Sequence, residues 1–267
     1  MSIVRTSPVL PPEARPAWDS LLPVPKSLVS DRQTLIIGHR GARGLAPENT
    51  LVAFQVAADL RIDGVEFDAQ RTKDGHLVVF HDENVARVTP SEGLIPEMTL
   101  AEVKALDAGI KFDPRFSGEP VPTLDEAFAF LRQTDLLLFL ELKEPWRFPG
   151  IEAQIIEAIR RYDLVERIQL RAFYHDALHI VHKLAPEISL SELWLDRIPN
   201  DDEVTLKTID VLHTLYTPEN IAHIHARGQQ ATAWTVNELD DARRLIAAGL
   251  DAIATDFPDR MLALSQE

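Results

Sequence analysis

Short apolar runs recur along the chain from position 35, separated by longer stretches of mixed character. They are Leu35–Ile37, Val65–Phe67, Leu77–Phe80, Leu136–Leu140, Ile168–Leu170, Ile188–Leu193, Val211–Leu215, Ala231–Val236 and Ala252–Ala254. Runs of this length suit strands buried on both faces. Between them the period changes to that of a helix. Ile151, Ile155, Ile156 and Ile159 share one face at helical spacing. Thr123–Glu126 reads as a capping box that opens a helix to about Arg132. Asn237 is placed to cap "ELDDARRLIAA", which Gly249 can end in a left-handed conformation.

Strand and helix in alternation predict a parallel sheet with helical crossovers. An open doubly wound sheet often carries a glycine-rich phosphate loop after its first strand, and the residues after Ile37 lack that form. A chain of 267 residues suits a closed barrel. The expectation is an α/β fold: a single TIM-type (β/α)8 barrel over residues 34–267 behind a proline-rich N-terminal extension, residues 1–33. Nine strand candidates compete for eight places, with distortion expected near the second and third strands. Lys73-Asp74-Gly75 is a turn signal there, and a hairpin would bring His81 level with Asp68.

Charge and composition narrow the function. The 42 acidic against 27 basic residues give a net charge of -15. That argues against nucleic acid and anionic membrane surfaces, which need a basic footprint. A phosphate-bearing small molecule needs only a local cluster of cations. The chain has no cysteine, so disulfides, thiolate metal sites and thiol nucleophiles are excluded. No apolar run is long enough to span a bilayer and the first residues lack a signal-peptide core. A cytoplasmic protein without stable membrane insertion is expected; no feature of the sequence sets an oligomeric state.

The candidate chemistry lies at the ends of the apolar runs. His39-Arg40-Gly41 follows the first, Glu66 and Asp68 sit two apart in the second, and His81-Asp82 follows the third. Glu141 and Lys143 alternate at the end of the fourth, Trp234 lies in the eighth, and Asp256 follows the last. In a parallel barrel these ends converge on one rim, where barrel enzymes keep their sites. Ionisable groups gathered there need partners or cost several kcal/mol. Glu66, Asp68 and Glu141 are hard oxygen donors that suit Mg²⁺ or Ca²⁺. Two imidazoles beside a metal can take a proton from an attacking hydroxyl and give one to a leaving group. Arg40 and Lys143 can hold phosphate oxygens. Together they form a set suited to phosphoryl transfer.

"HRGARGLAPENTLVAF", "VEFDAQRTKDGHLVVFHD", "FLELK", "WTVN" and "DAIATDFP" occur in that order. Together they resemble the glycerophosphodiester phosphodiesterase family over roughly residues 35–260. The resemblance implies a β/α barrel that cleaves glycerophosphodiesters to glycerol 3-phosphate and an alcohol. It implies His39 and His81 as the acid/base pair, Arg40 on the phosphate, and Glu66, Asp68 and Glu141 as ligands of the divalent cation, Mg²⁺ or Ca²⁺. Lys143 and Trp234 would line the substrate pocket. It also implies a two-step route, in which the neighbouring glycerol hydroxyl attacks phosphorus before water opens a cyclic phosphate. The chain departs from the family pattern at Arg171–His175 and over Ser191–Val211, both at expected pocket walls.

Other polar residues have plainer readings. Glu48 and Asn49 precede a helix and read as its cap. Asp256 reads as a hydrogen-bonding brace for the rim. His175, His179 and His182 read as a solvated or half-buried helix face, because no glutamate stands where a metalloprotease motif needs one; His213, His223 and His225 read likewise. A small phosphodiester is the expected partner. Competing readings are a phosphodiesterase for lysophospholipids or other bulky diesters, with Trp146, Phe148 and Trp194 forming an apolar groove, and a non-catalytic phosphodiester-binding barrel. A metal-dependent barrel enzyme that abstracts a proton from a carboxylate substrate is a further alternative.

Overall fold

A computed structural model describes residues 34–199 and 206–264; the proline-rich extension lies outside the described residues. In chain order the elements are β1 (Leu35–Gly38), α1 (Leu51–Leu60), β2 (Gly64–Arg71), β3 (Leu77–Val79), α2 (Leu100–Lys104) and α3 (Leu124–Leu131). There follow β4 (Leu137–Leu142), α4 (Ile151–Arg161), β5 (Ile168–Ala172), α5 (His175–Leu184), β6 (Ser189–Trp194) and β7 (Thr208–Leu212). The chain continues through α6 (Pro218–Ala226), β8 (Gln230–Trp234), α7 (Leu239–Ala247), β9 (Ala252–Thr255) and α8 (Pro258–Leu264).

Eight strands pair in parallel in the order β1-β9-β8-β7-β6-β5-β4-β2, and a further β1–β2 pairing closes the barrel. The ninth strand, β3, is the surplus one. β1 pairs only with Gly64 and Val65 of β2. The far half of that edge is therefore open, and β3 takes it antiparallel, with Ala69 opposite Val79. Phe80 then donates its N–H to the Asp68 carbonyl at 3.1 Å, so Phe80 stands opposite Asp68 and His81 follows one residue beyond the level that the turn signal predicts.

The barrel interior has two halves. Leu35, Ile37, Leu137, Phe139, Ala252 and Ala254 form an apolar cluster against which Trp234 packs. On the β5–β8 side Gln169 reaches Ser189 and Thr208, and Arg171 reaches Asp210. This polar half explains a shifted boundary. The expected run Val211–Leu215 is a strand only to Leu212 and begins at Thr208; His213–Leu215 is a single 3-10 turn. Its inward positions Thr208 and Asp210 are polar and buried, so the strand does not read as an apolar run.

The main core lies between strands and helices. Phe67 meets Phe54 edge-on at 5.4 Å and Phe128 at 6.3 Å, and each such side chain contributes roughly 1.5–3 kcal/mol by leaving water. The Thr123–Glu126 capping box forms as expected. Residues 80–122 leave the barrel as a small cap with its own core, including Phe80, Val85, Ile95, Val103 and Val121. Among the described residues no helix is long and apolar enough to cross a membrane.

Two expected caps are corrected. Glu238, not Asn237, is the N-cap residue of α7, and among the described residues no side chain caps it. The Asn237 amide is spent on Asp256, donating to its carboxylate at 3.0 Å and accepting its N–H at 2.9 Å. At α1 the cap is Thr50, which accepts the Ala53 N–H. Glu48 and Asn49 turn instead toward the rim. Gly249, with φ of 88°, ends α7 as expected.

Candidate active site

The first strand ends in a turn that only its own sequence allows. A Cβ on Gly38 would lie 1.9 Å from the Gly41 carbonyl oxygen, and both Arg40 (φ 52°) and Gly41 (φ 87°) take left-handed backbone. The turn aims the Arg40 N–H at Glu66 Oε2, 3.0 Å away. It also sets His39 over the strand ends, with Nε2 3.9 Å from the same carboxylate oxygen.

Glu66, Asp68 and Glu141 present carboxylate oxygens that all lie within 4.8 Å of one another, and all three residues are buried. Register accounts for this. Asp68 stands beside Glu141 across the parallel β2–β4 pair, and Glu66 precedes Asp68 by two on the same face. Burial, and then repulsion from Asp68 and Glu141, drive the Glu66 carboxyl well above its usual range. Burial would also raise Asp68, but His81, Lys143, Arg40 and the Asn49 amide together hold it well below. Asn49 Nδ2 donates to Asp68 Oδ2 at 2.8 Å, while Asp68 Oδ1 makes no hydrogen bond among the described residues. Three converging carboxylates, one strained toward protonation and one with an orphaned buried oxygen, fit a hard divalent cation.

Each imidazole is held by a carboxylate. His39 Nδ1 donates to Asp256 Oδ1 at 2.6 Å, and His81 Nδ1 donates to Asp82 Oδ1 at 2.6 Å. Because carboxylates only accept, this leaves Nε2 of each ring for chemistry. Lys143 donates to His81 Nε2 at 3.1 Å and to Glu141 Oε1 at 2.7 Å. Burial, with help from Arg40, pushes the His39 pKa down against the opposing pull of Asp256. Gln70 clamps the β3 end by donating to the carbonyls of Phe80, His81 and Asp82.

Glu48 joins the two sides. It accepts from Arg40 Nη1 at 2.8 Å and from both Arg87 amino groups at 2.8 and 2.6 Å, and Arg43 Nε lies 3.4 Å away. Arg87 also donates to Asp82, and Arg43 lies 3.9 Å from Asp256. Burial alone would raise Glu48, but Arg87 and Arg40 lower its pKa to about 2. Glu48→Gln should cost roughly 2 kcal/mol at neutral pH, as one charged hydrogen-bonding group is lost. Since the folded pKa is depressed, that contribution is whole above 4.5 and fades as pH falls toward about 2. Urea unfolding of both proteins across that range checks it; a stability gap that stays constant with pH would contradict it.

The structure therefore brings His39, His81, Arg40, Glu66, Asp68, Glu141 and Lys143 together. Trp234 packs on the interior apolar cluster and lies edge-on to Phe173 of the divergent segment at 5.5 Å. Asp82, Arg43 and Arg87 were given no role by the sequence, although Asp82 adjoins His81. Asp256 does brace the rim, and the group it braces is His39. His175 and His179 are half-buried on α5, their Nε2 atoms 2.7 Å apart. The three aromatics that the bulky-diester alternative needs for a groove do not present one apolar surface: Phe148 is buried in the main core, Trp194 is only partly exposed under Arg197, and of the three only Trp146 is largely exposed.

Comparison with known proteins agrees with this geometry. Residues 39–260 match the model of the glycerophosphoryl diester phosphodiesterase family. A glycerophosphodiester phosphodiesterase of Caldanaerobacter subterraneus is 41% identical over 237 residues, covering 87% of this chain and 98% of that protein. One from Bacillus altitudinis is 36% identical, covering 88% and 99%. Among solved structures, an Oleispira antarctica phosphodiesterase in complex with the product sn-glycerol-3-phosphate superposes with a TM-score of 0.81 at 31% identity, covering 87% of this chain and 97% of that one.

Proposed function

Because the chain belongs to the glycerophosphoryl diester phosphodiesterase family and is an enzyme of that class, we propose that it hydrolyses small glycerophosphodiesters to glycerol 3-phosphate and an alcohol with a divalent cation, Mg²⁺ or Ca²⁺, and His39 and His81 as acid and base. The observation that carries this reading is the pair of carboxylate-held imidazoles on either side of the Glu66–Asp68–Glu141 cluster.

Glu66, Asp68 and Glu141 would hold the cation, which supplies charge stabilisation to the phosphoryl oxygens when bound. Arg40 and Lys143 hold the non-bridging oxygens. One imidazole takes the proton of the attacking hydroxyl through Nε2. The other gives a proton to the departing alcohol oxygen as its bond to phosphorus breaks. If the attacking group is the neighbouring glycerol hydroxyl, the roles reverse when water opens the cyclic phosphate. Asp256 and Asp82 fix both tautomers throughout.

Release of ethanolamine from glycerophosphoethanolamine, set against its release from lysophosphatidylethanolamine, tests the substrate class. Turnover of the small diester should exceed that of the lipid; faster release from the lipid would overturn the small-substrate reading.

A further inference from the structure

Resting on that reading, we propose that a cavity at the seam between cap and rim receives the leaving alcohol, and that it selects alcohols carrying an anionic group of their own. The cavity measures about 220 Å³. The β1–α1 loop gives it Arg43 and Glu48, and the cap gives it Arg87, Val88, Lys111 and Phe112. A larger cavity of about 730 Å³ opens beside Asp63 and Leu137, at the opposite ends of β2 and β4, and cannot take a group attached to phosphorus at the rim.

The inner wall of the seam cavity is the back of the catalytic groups. Glu48 accepts from Arg40, Arg87 supports the Asp82 that holds His81, and Arg43 lies near the Asp256 that holds His39. In the proposed arrangement an alcohol on phosphorus beside Arg40 passes Glu48 and Arg43 to reach the cavity. When the phosphorus–oxygen bond breaks and the alcohol oxygen takes its proton from an imidazole, the cavity already holds the rest of the leaving group.

The lining states the preferred charge. Three cations, Arg43, Arg87 and Lys111, face one carboxylate, Glu48, in a chain whose net charge is -15. Arg43 and Arg87 share Glu48, whereas the Lys111 ammonium donates to the Ala86 carbonyl. Three ammonium donors less one leave two for a ligand. The other carboxylates nearby are engaged too: Asp82 pairs with Arg87, Asp256 lies 3.9 Å from Arg43, Asp107 accepts backbone N–H groups and Asp113 pairs with Arg115, so Lys111, held by a neutral carbonyl, carries the lining's preference. Val88 and Phe112, the latter 41% exposed, offer apolar surface to a carbon skeleton. A trimethylammonium group would face the same three cations and be disfavoured.

The test compares kcat/KM for glycerophosphoserine, glycerophosphoinositol monophosphate and glycerophosphocholine on wild type and on Lys111→Glu, with divalent cation supplied. Wild type should favour an anionic leaving group over choline by about tenfold or more. Lys111→Glu should erase most of that preference by raising KM for the anionic diesters, while the choline diester is used as well as before or better. Preference for serine alone marks a carboxylate site, and preference for the inositol phosphate alone marks a phosphate site; either supports the proposal. Equal use of all three, or a uniform change in the variant, overturns the subsite and leaves the active site standing. No turnover of any diester overturns the active-site reading and the subsite with it.

Discussion

Replacing His39 or His81 with alanine is expected to lower kcat for glycerophosphodiester hydrolysis by about 10²–10⁴-fold, the usual contribution of a positioned acid or base. The fold should survive, because neither ring carries core packing. His39 leaves Asp256 with the Asn237 amide and Arg43 nearby, and His81 leaves Asp82 with Arg87. Far-UV circular dichroism and urea unfolding check the fold, and steady-state kinetics the rate. Asp256→Asn and Asp82→Asn should fall less, roughly 10–100-fold, as changes that disturb orientation do. A folded His39→Ala or His81→Ala variant with near-normal kcat would contradict the acid/base assignment.

The second large effect lies inside the barrel. Arg171 Nη1 stands 2.7 Å from Asp210, both almost wholly buried, and the guanidinium lies over the Phe139 ring at 4.7 Å. Asp210→Asn would take from that buried cation the carboxylate paired with it and should cost about 3–5 kcal/mol. Against a typical stability of about 5–15 kcal/mol, this is a large share. Arg171→Met combined with Asp210→Leu should recover most of the loss, since apolar replacement of a buried pair is often neutral or stabilising. Urea midpoints decide the matter: a single variant costing under about 1 kcal/mol, or a double variant no better than the single, would contradict it.

Much of the barrel is legible in the chain because its strands are apolar on both faces where they pack under helices. β1, β4 and β9 show this plainly. β7 does not, since Thr208 and Asp210 satisfy Gln169 and Arg171 across the interior, and such pairings connect residues far apart in sequence. The site is legible for a related reason. Alternation in β2 and β4 places Glu66 with Asp68 and Glu141 with Lys143, and a turn signal predicts the hairpin that carries His81 to one residue beyond the level of Asp68. The supports are harder to see. Asn49, Glu48 and Asn237 all precede helices and look like caps, yet each reaches across the rim to a partner that propensity cannot reveal.

Glycerol 3-phosphate release from glycerophosphocholine, by protein stripped with EDTA and then titrated with Mg²⁺ or Ca²⁺, tests the centre of the proposed mechanism most directly. The expected result is loss of turnover on chelation, recovery with a hard divalent cation, and no recovery in folded Asp68→Asn. Undiminished turnover by the chelated protein, or full activity of Asp68→Asn, would contradict a cation held by Glu66, Asp68 and Glu141.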